Sequence, residues 1–448
     1  MRLFSYRDRP VHLGPYPMER ARRQDAMPDL SFVPDMQPLG FDDPDPASLV
    51  HAIRPYLGMF DVVRDGVIGP PGEIPDDRTE RSNHLKSAGY YFDASMVGVC
   101  RLPDAARLDE PIRNPIVADI AAELARSQPK SFAAGMDMIL ADVIDSARKS
   151  LEPIDHHTHA IVFLVEYARD PRPDEPGTEW IRGCQAHRAA VLAAQSAVLI
   201  GSYLRMLGYE ARSHTATCSD VDLGRLAVAA GLAEMLSSEG TVVLSNPFLK
   251  TRFGLAAVTT TLEIAPDRAL AASQPGDRLR THGPSWWLGR GAPKGALSRD
   301  PFARRDFRDG PWPFERLKRV EKPTTFIDHE RVPRFPKRAD FFARVLFGDL
   351  GRAVQNEGKN AHYVMKSPIG ACARRALGAL LLLQFGDARG PVSPSVSDPR
   401  RNADKLKAVS YFLGCDAVGL CRVPEWAWYS HDAGGNQCRP IMRIRSTC

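Results

Sequence analysis

The sequence predicts an α/β (α+β) layered fold, because amphipathic helical stretches alternate with short apolar ones between about Arg81 and Ala265. Three stretches carry the prediction. "RSNHLKSAGYYF" is amphipathic at helical spacing and runs into "MVGVCRL", a β-branched apolar run suited to a buried strand. "HAIVFLVEY" is apolar without interruption, as a central strand covered on both faces must be. "HRAAVLAAQSAVLIGSYLRMLG" is long and rich in Ala and Leu, a single helix closed by Gly208.

Taken in order, residues 1–80 read as a wrapping extension rich in Pro, Asp and Arg, with one helix inside "FDDPDPASLVHAIRPYLGMFDVV". Residues 81–265 form the layered domain. Its remaining helices are expected in "RNPIVADIAAELARSQ", "GMDMILADVIDSARKSL" and "DLGRLAVAAGLAEML", and its remaining strands in "YEARSHTA", "GTVVLSNPF" and "LAAVTTTLEI". Residues 266–395 begin as an irregular basic connector, dense in Gly, Pro, Trp and Arg in "HGPSWWLGRGAPKG" and "FRDGPWPFERLKR". Two helices follow, in "KRADFFARVLFGDLGRAVQNEG" and "PIGACARRALGALLLLQFG".

Composition excludes several classes. The 448 residues are 44% hydrophobic, enough for more than one core. The net charge of +5 comes from scattered basic residues, concentrated only between about Arg278 and Arg344, so nucleic acid is not an expected partner. No uninterrupted apolar run reaches the roughly 18 to 20 residues of a membrane span, and no export signal opens the chain; the cytoplasm is the expected location. The eight cysteines include no C-x-x-C pair, so they read as buried thiols rather than ligands of a local cluster.

Residues 396–448 repeat an earlier motif. Laying Lys407 over Lys86 aligns Tyr411 with Tyr90, Val418 with Val97, Gly419 with Gly98, Cys421 with Cys100, Arg422 with Arg101 and Pro424 with Pro103, without gaps. The ordered V-G-x-C-R-x-P run points to internal duplication, with the second unit a truncated helix–strand start. Such a start cannot bury enough apolar surface to offset about 1–2 kcal/mol of backbone entropy per residue, so it is expected to be loosely held.

These blocks resemble cobalamin-dependent reductive dehalogenases of the soluble, non-exported type. The resemblance rests on "FSYRDRPVHLGPYPMER", "SYLRMLGYEARSH", "AVAAGLAEM", "LSNPFLKTRFGLAAVTTTLEI" and "YFLGCDAVGLCRVPEWAWYSHD". It implies a duplicated nitroreductase-like domain: a first copy without cofactor, a second holding cobalamin, then a module with two four-iron–four-sulfur clusters. It also implies reductive removal of halide from an organohalide, often aromatic, with a Tyr supported by a Lys supplying the proton. In this chain the family's Tyr position is Ala190 and its Lys position is Gly254, so no catalytic residue is expected; Lys250 nearby reads as a surface lysine. His214, Asn246, Phe248 and Arg252 are then vestigial cofactor-side positions, and Trp428, Tyr429 and His431 are the substrate-side candidates of the second unit. The cluster motif C-x-x-C-x-x-C-x-x-x-C-P is missing after "TTTLEI", so neither cobalamin nor clusters are expected in this chain.

His156, His157 and His159 stand together before the central strand, but with no carboxylate partner visible in sequence no metal is expected there. The tail "GGNQCRPIMRIRSTC" departs from the family, and another reading frame of its codons permits "PPYHAYSINV", a parallel to "HHTHAIVFLV"; a frameshift is the expected origin. The sequence thus reads as an N-terminal part of a reductive dehalogenase, inactive alone, whose expected partner is the separately encoded remainder. A homo-oligomer stays open. The rival readings are a non-enzymatic scaffold built on the pseudo-domain and an epoxyqueuosine reductase-like enzyme.

Overall fold

The computed structural model describes residues 10–126, 151–287, 317–360 and 398–438, apart from 239, 319 and 322–324, and five isolated positions between 143 and 380. The helices expected in "GMDMILADVIDSARKSL" and "PIGACARRALGALLLLQFG" lie outside the described residues except at those isolated positions, and so does the tail from 439.

Helices α1 (Leu49–Val62), α2 (Arg78–Tyr91) and α3 (Ile116–Arg126) form where the apolar spacing places them, α1 and α2 capped by Ser48 and Asp77. Strands β1 (Arg23–Gln24) and β10 (Ala269–Leu270) pair, tying the N-terminal extension to the far end of the domain. The main sheet contains β2 (Met96–Arg101), β4 (His159–Glu166), β5 (Ala211–His214) and β9 (Phe253–Thr260), all antiparallel in the order β2-β4-β9-β5. A smaller ladder joins β3 (Arg107–Ile112) to β6 (Ser219–Val221).

β4 shows why its sequence is continuously apolar. Its side chains alternate between faces: Ile161, Phe163 and Val165 pack beneath α5 (Gln185–Met206), against Ala193, Ala197 and Ile200. Ala160, Val162 and Leu164 face α6 (Leu223–Ala229), against Leu226 and Ala227. Among the described residues α5 alone is long and apolar enough to cross a membrane, and most of it is buried inside the protein. The extension does more than wrap: Tyr16, Leu30 and Val33 join the α6-side core, and α1 packs Leu57 and Phe60 near Val198 of α5.

Three expected elements differ. The helix predicted through Leu236 stops at Ala229, because Gly231 takes a left-handed φ of 62°, and β7 (Glu234–Ser238) with β8 (Thr241–Ser245) forms a hairpin instead. α4 (Thr178–Ile181) is a short turn before α5. The connector holds α7 (Asp277–Trp287), broken at Gly283, and the stretch expected as one helix from Lys337 splits into α8 (Phe341–Leu346) and α9 (Arg352–Asn360) where Gly348 and Gly351 turn left-handed.

The third difference lies in the repeated motif. α10 (Pro399–Phe412) is 14 residues long, as is α2, and each is capped by an aspartate, Asp398 and Asp77. Both leave through a left-handed residue, Gly414 and Asp93, and in both the amide of the valine beyond donates to the tyrosine hydroxyl: Val418 to Tyr411 at 3.3 Å, Val97 to Tyr90 at 3.2 Å. Even the short 3-10 turns agree, Asp104–Ala106 and Glu425–Ala427. The expected strand at 417–422 does not form, since among the described residues no strand lies beside it. α10 itself is not loose: Ala408, Tyr411 and Phe412 pack with Ile181 and Cys184, the Arg188 guanidinium donates to the Phe412 carbonyl, and buried Lys405 pairs with Glu179.

Candidate functional site

The two positions that the resemblance marks for proton transfer meet. α5 presents a run of alanines to the sheet, so β9 approaches closely: a Cβ built on Gly254 would lie 3.0 Å from Cβ of Ala189, beside Ala190. Ala190 and Gly254 line one cleft of about 420 Å³ with Tyr167, Phe253 and residues 34–40. Neither can hold a proton. Tyr167, which the sequence reading missed, is the phenol of this cleft; burial raises its pKa, against the opposing charge of Arg252, whose guanidinium lies 5.9 Å from the ring centroid. A tyrosine one residue past a strand carries no sequence signal of its own.

The cleft does not fit a corrinoid. Residues 34–40 cross it and are pinned at three points: the Met36 amide donates to Asp222 at 2.8 Å, the Leu39 amide to the Ala216 carbonyl at 2.9 Å, and His187 Nε2 bonds the Gly40 carbonyl at 2.7 Å. A drug-sized ligand takes roughly 300–1,000 Å³, and a corrinoid is larger still. The vestigial candidates are also committed to the fold. Asn246 accepts from the amides of Phe248 and Leu249 and donates to the Leu232 carbonyl, knotting the turn that ends at Lys250. Phe248 stacks on His282 at 4.6 Å, and Arg252 donates to the Ala168 carbonyl and pairs with Asp170. His214 is fully buried between Thr259 and the Asp220 amide.

Trp428, Tyr429 and His431 lie elsewhere, over the segment 334–337. Arg334 donates to the Trp428 and Tyr429 carbonyls, Lys337 sits 4.7 Å from the Tyr429 ring centroid, and the Lys337 amide donates to the His431 carbonyl. None lines the Ala190–Gly254 cleft.

A buried polar cluster, invisible to pattern reading, occupies the β5–β6 end of the domain. Asp61 accepts from Thr215, Thr217 and Asn114, and burial still raises its pKa. Burial would also raise Asp220, but Arg64 at 3.0 Å, with His214 and Arg113, holds its carboxyl well below the usual range. His214 is pushed down by burial, and His157 is lowered to about 4 by burial, His156 and Arg212. His157 bonds Thr259 Oγ1 at 2.8 Å, and His156 bonds Glu210. The structure thus supplies the carboxylate that the sequence did not show; His159 is not part of the group.

No family model matches the chain, and no curated protein does. Solved structures do match. The catabolic reductive dehalogenase NpRdhA aligns at 34% identity and a TM-score of 0.73, over 96% of this chain and 55% of its own. The neighbours that align over nearly the whole chain are reductive dehalogenases. The same enzyme in complex with 3-bromo-4-hydroxybenzoic acid aligns at 33% identity and the same TM-score. An epoxyqueuosine reductase with a tRNA stem loop aligns over 43% of the chain at 12% identity and a TM-score of 0.26, too little to carry an argument. The chain is thus similar to reductive dehalogenases over nearly its whole length, and spans about half the length of those neighbours.

Proposed function

We propose that this chain is a supporting half of a reductive dehalogenase that removes halide from an organohalide, with aromatic substrates the class suggested by the brominated hydroxybenzoate of the neighbour's complex. One observation carries the reading: Ala190 and Gly254 stand side by side in one cleft, where the resemblance calls for Tyr and Lys. The packing between α5 and β9 survives while the proton-handling groups do not, which suits a scaffold of nitroreductase-like layering. The matching caps, turns and tyrosine bonds around α2 and α10 support a duplicated origin, with α10 opening the unit that would hold cobalamin and do the chemistry.

The test is halide release. This chain, supplied with cobalamin, a strong reductant and a brominated hydroxybenzoate, should release none. Co-produced with the cobalamin-and-cluster half of a reductive dehalogenase such as NpRdhA, it should restore turnover that the partner half lacks alone. Halide release by this chain alone, or a partner half equally active without it, would overturn the reading.

A further inference from the structure

Three ligand-type side chains from two separate loops meet at one end of the sheet. His156 and His157 close the loop that leads into β4, and Glu210 closes the loop that leads into β5. β9 runs between these strands, with the Thr158 amide donating to the Thr260 carbonyl at 3.0 Å and the Thr261 amide to the Glu210 carbonyl at 3.1 Å. The group therefore spans the end of β9. His157 Nε2 stands 3.9 Å from Glu210 Oε2, and one ligand atom from each residue lies within 4.8 Å of the others. The two rings are 4.9 Å apart and nearly perpendicular, at 87°.

We propose that His156, His157 and Glu210 bind a divalent transition-metal ion of the zinc type, with a fourth position open to the adjoining cleft. Two imidazoles and a carboxylate are a three-ligand set suited to such an ion, with bonds of about 2.0–2.2 Å. Such bonds set ligand atoms roughly 3.4 Å apart, so His157 and Glu210 must draw together slightly while the direct His156–Glu210 hydrogen bond opens to admit the ion. The group can do so: His157 is fixed by burial, while the side chains of His156 and Glu210 are 49% and 45% exposed and free to change rotamer. The cleft, about 180 Å³ and lined by Glu152, Arg205 and Arg212 among others, has room for metal-bound water. Both nearby cations are engaged: Arg212 pairs with Asp65 at 2.8 Å, and Arg205 donates to the Ala211 carbonyl at 2.7 Å.

The outer partners suit ligation as well. Binding through His157 Nε2 places the ring proton on Nδ1, 2.8 Å from Thr259 Oγ1. His214 Nδ1 accepts from the Asp220 amide, so neutral His214 carries its proton on Nε2, also 2.8 Å from Thr259. A hydroxyl oxygen has two lone pairs and can accept from both rings. Such outer hydrogen bonds orient a ligating histidine. The ion would join the loops before β4 and β5 across β9, a structural clamp unrelated to the proposed dehalogenase role.

The test uses the full chain stripped with a chelator, titrated with zinc by calorimetry and with cobalt(II) by visible absorption. One equivalent should bind, with a rise in melting temperature and a cobalt spectrum free of thiolate charge transfer. Glu210→Gln and His156→Gln, at half-exposed positions, should fold as the parent does and lose at least about ten-fold in affinity, while Thr259→Val loses about ten- to a hundred-fold and Thr259→Ser restores it. No binding at excess zinc, a thiolate spectrum, or unchanged affinity in both Glu210→Gln and His156→Gln would overturn the proposal.

Discussion

The stretches Asp77–Ala106 and Asp398–Ala427 follow the same local plan and end in opposite states. Both have an aspartate cap, a helix of 14 residues, a left-handed exit and a tyrosine hydroxyl that accepts from the valine beyond. In the first, Val99 is fully buried and Cys100 nearly so, because β2 pairs with β4 on one edge while Asp267 accepts from the Val99 amide on the other. In the second, Leu420 is 50% exposed and no strand forms. Local sequence is enough for a helix and its caps, whose hydrogen bonds close within a few residues. A strand needs a distant partner.

Hydrogen exchange gives the largest contrast that could break this comparison. Amides of residues 97–101 should exchange about three orders of magnitude or more slower than those of 418–422, since opening the first approaches global unfolding at a typical 5–15 kcal/mol. Similar protection in both would mean that the second strand does form.

Glycine substitution sharpens it next. A Cβ on Gly98 would meet the Ala230 carbonyl at 2.6 Å and Leu232 at 2.9 Å, whereas Gly419 faces open space. Chemical denaturation should show Gly98→Ala destabilised by about 3 kcal/mol and Gly419→Ala within about 0.5 kcal/mol of the parent.

Acid should act on the sheet that holds the first region, where β2 pairs with β4, the strand that follows His157. His157 titrates near 4 in the fold against 6.5 in the unfolded chain, so the unfolded state binds the extra proton in that window and stability falls as pH drops from 6.5 toward 4. His214 adds to the loss, and Asp61, shifted upward by burial, opposes it. Melting temperatures across this window should fall, and a His157→Gln variant should flatten the slope; an unchanged slope would sink the assignment.

The smallest effect concerns what the two regions share. Tyr90→Phe and Tyr411→Phe each remove one acceptor for a valine amide, so each should cost about 1 kcal/mol in the unit it closes. For Tyr411→Phe the loss should appear as faster exchange in α10 without a change in the main-sheet transition.

Sequence by itself determined the helices α1, α2, α3, α5 and α10, the central position of β4, the repeated motif, and the small side chains of Ala190 and Gly254. Each is written in periodicity, capping chemistry or residue identity. It could not decide that the stretch after Gly231 becomes a hairpin, nor that Leu420 has no strand beside it, because pairing depends on residues far away. Nor could it bring Glu210 to His156 and His157, or Asp220 to Arg64 and His214. Those contacts join loops whose ends converge only once β4, β9 and β5 lie side by side, so tertiary structure alone decided them.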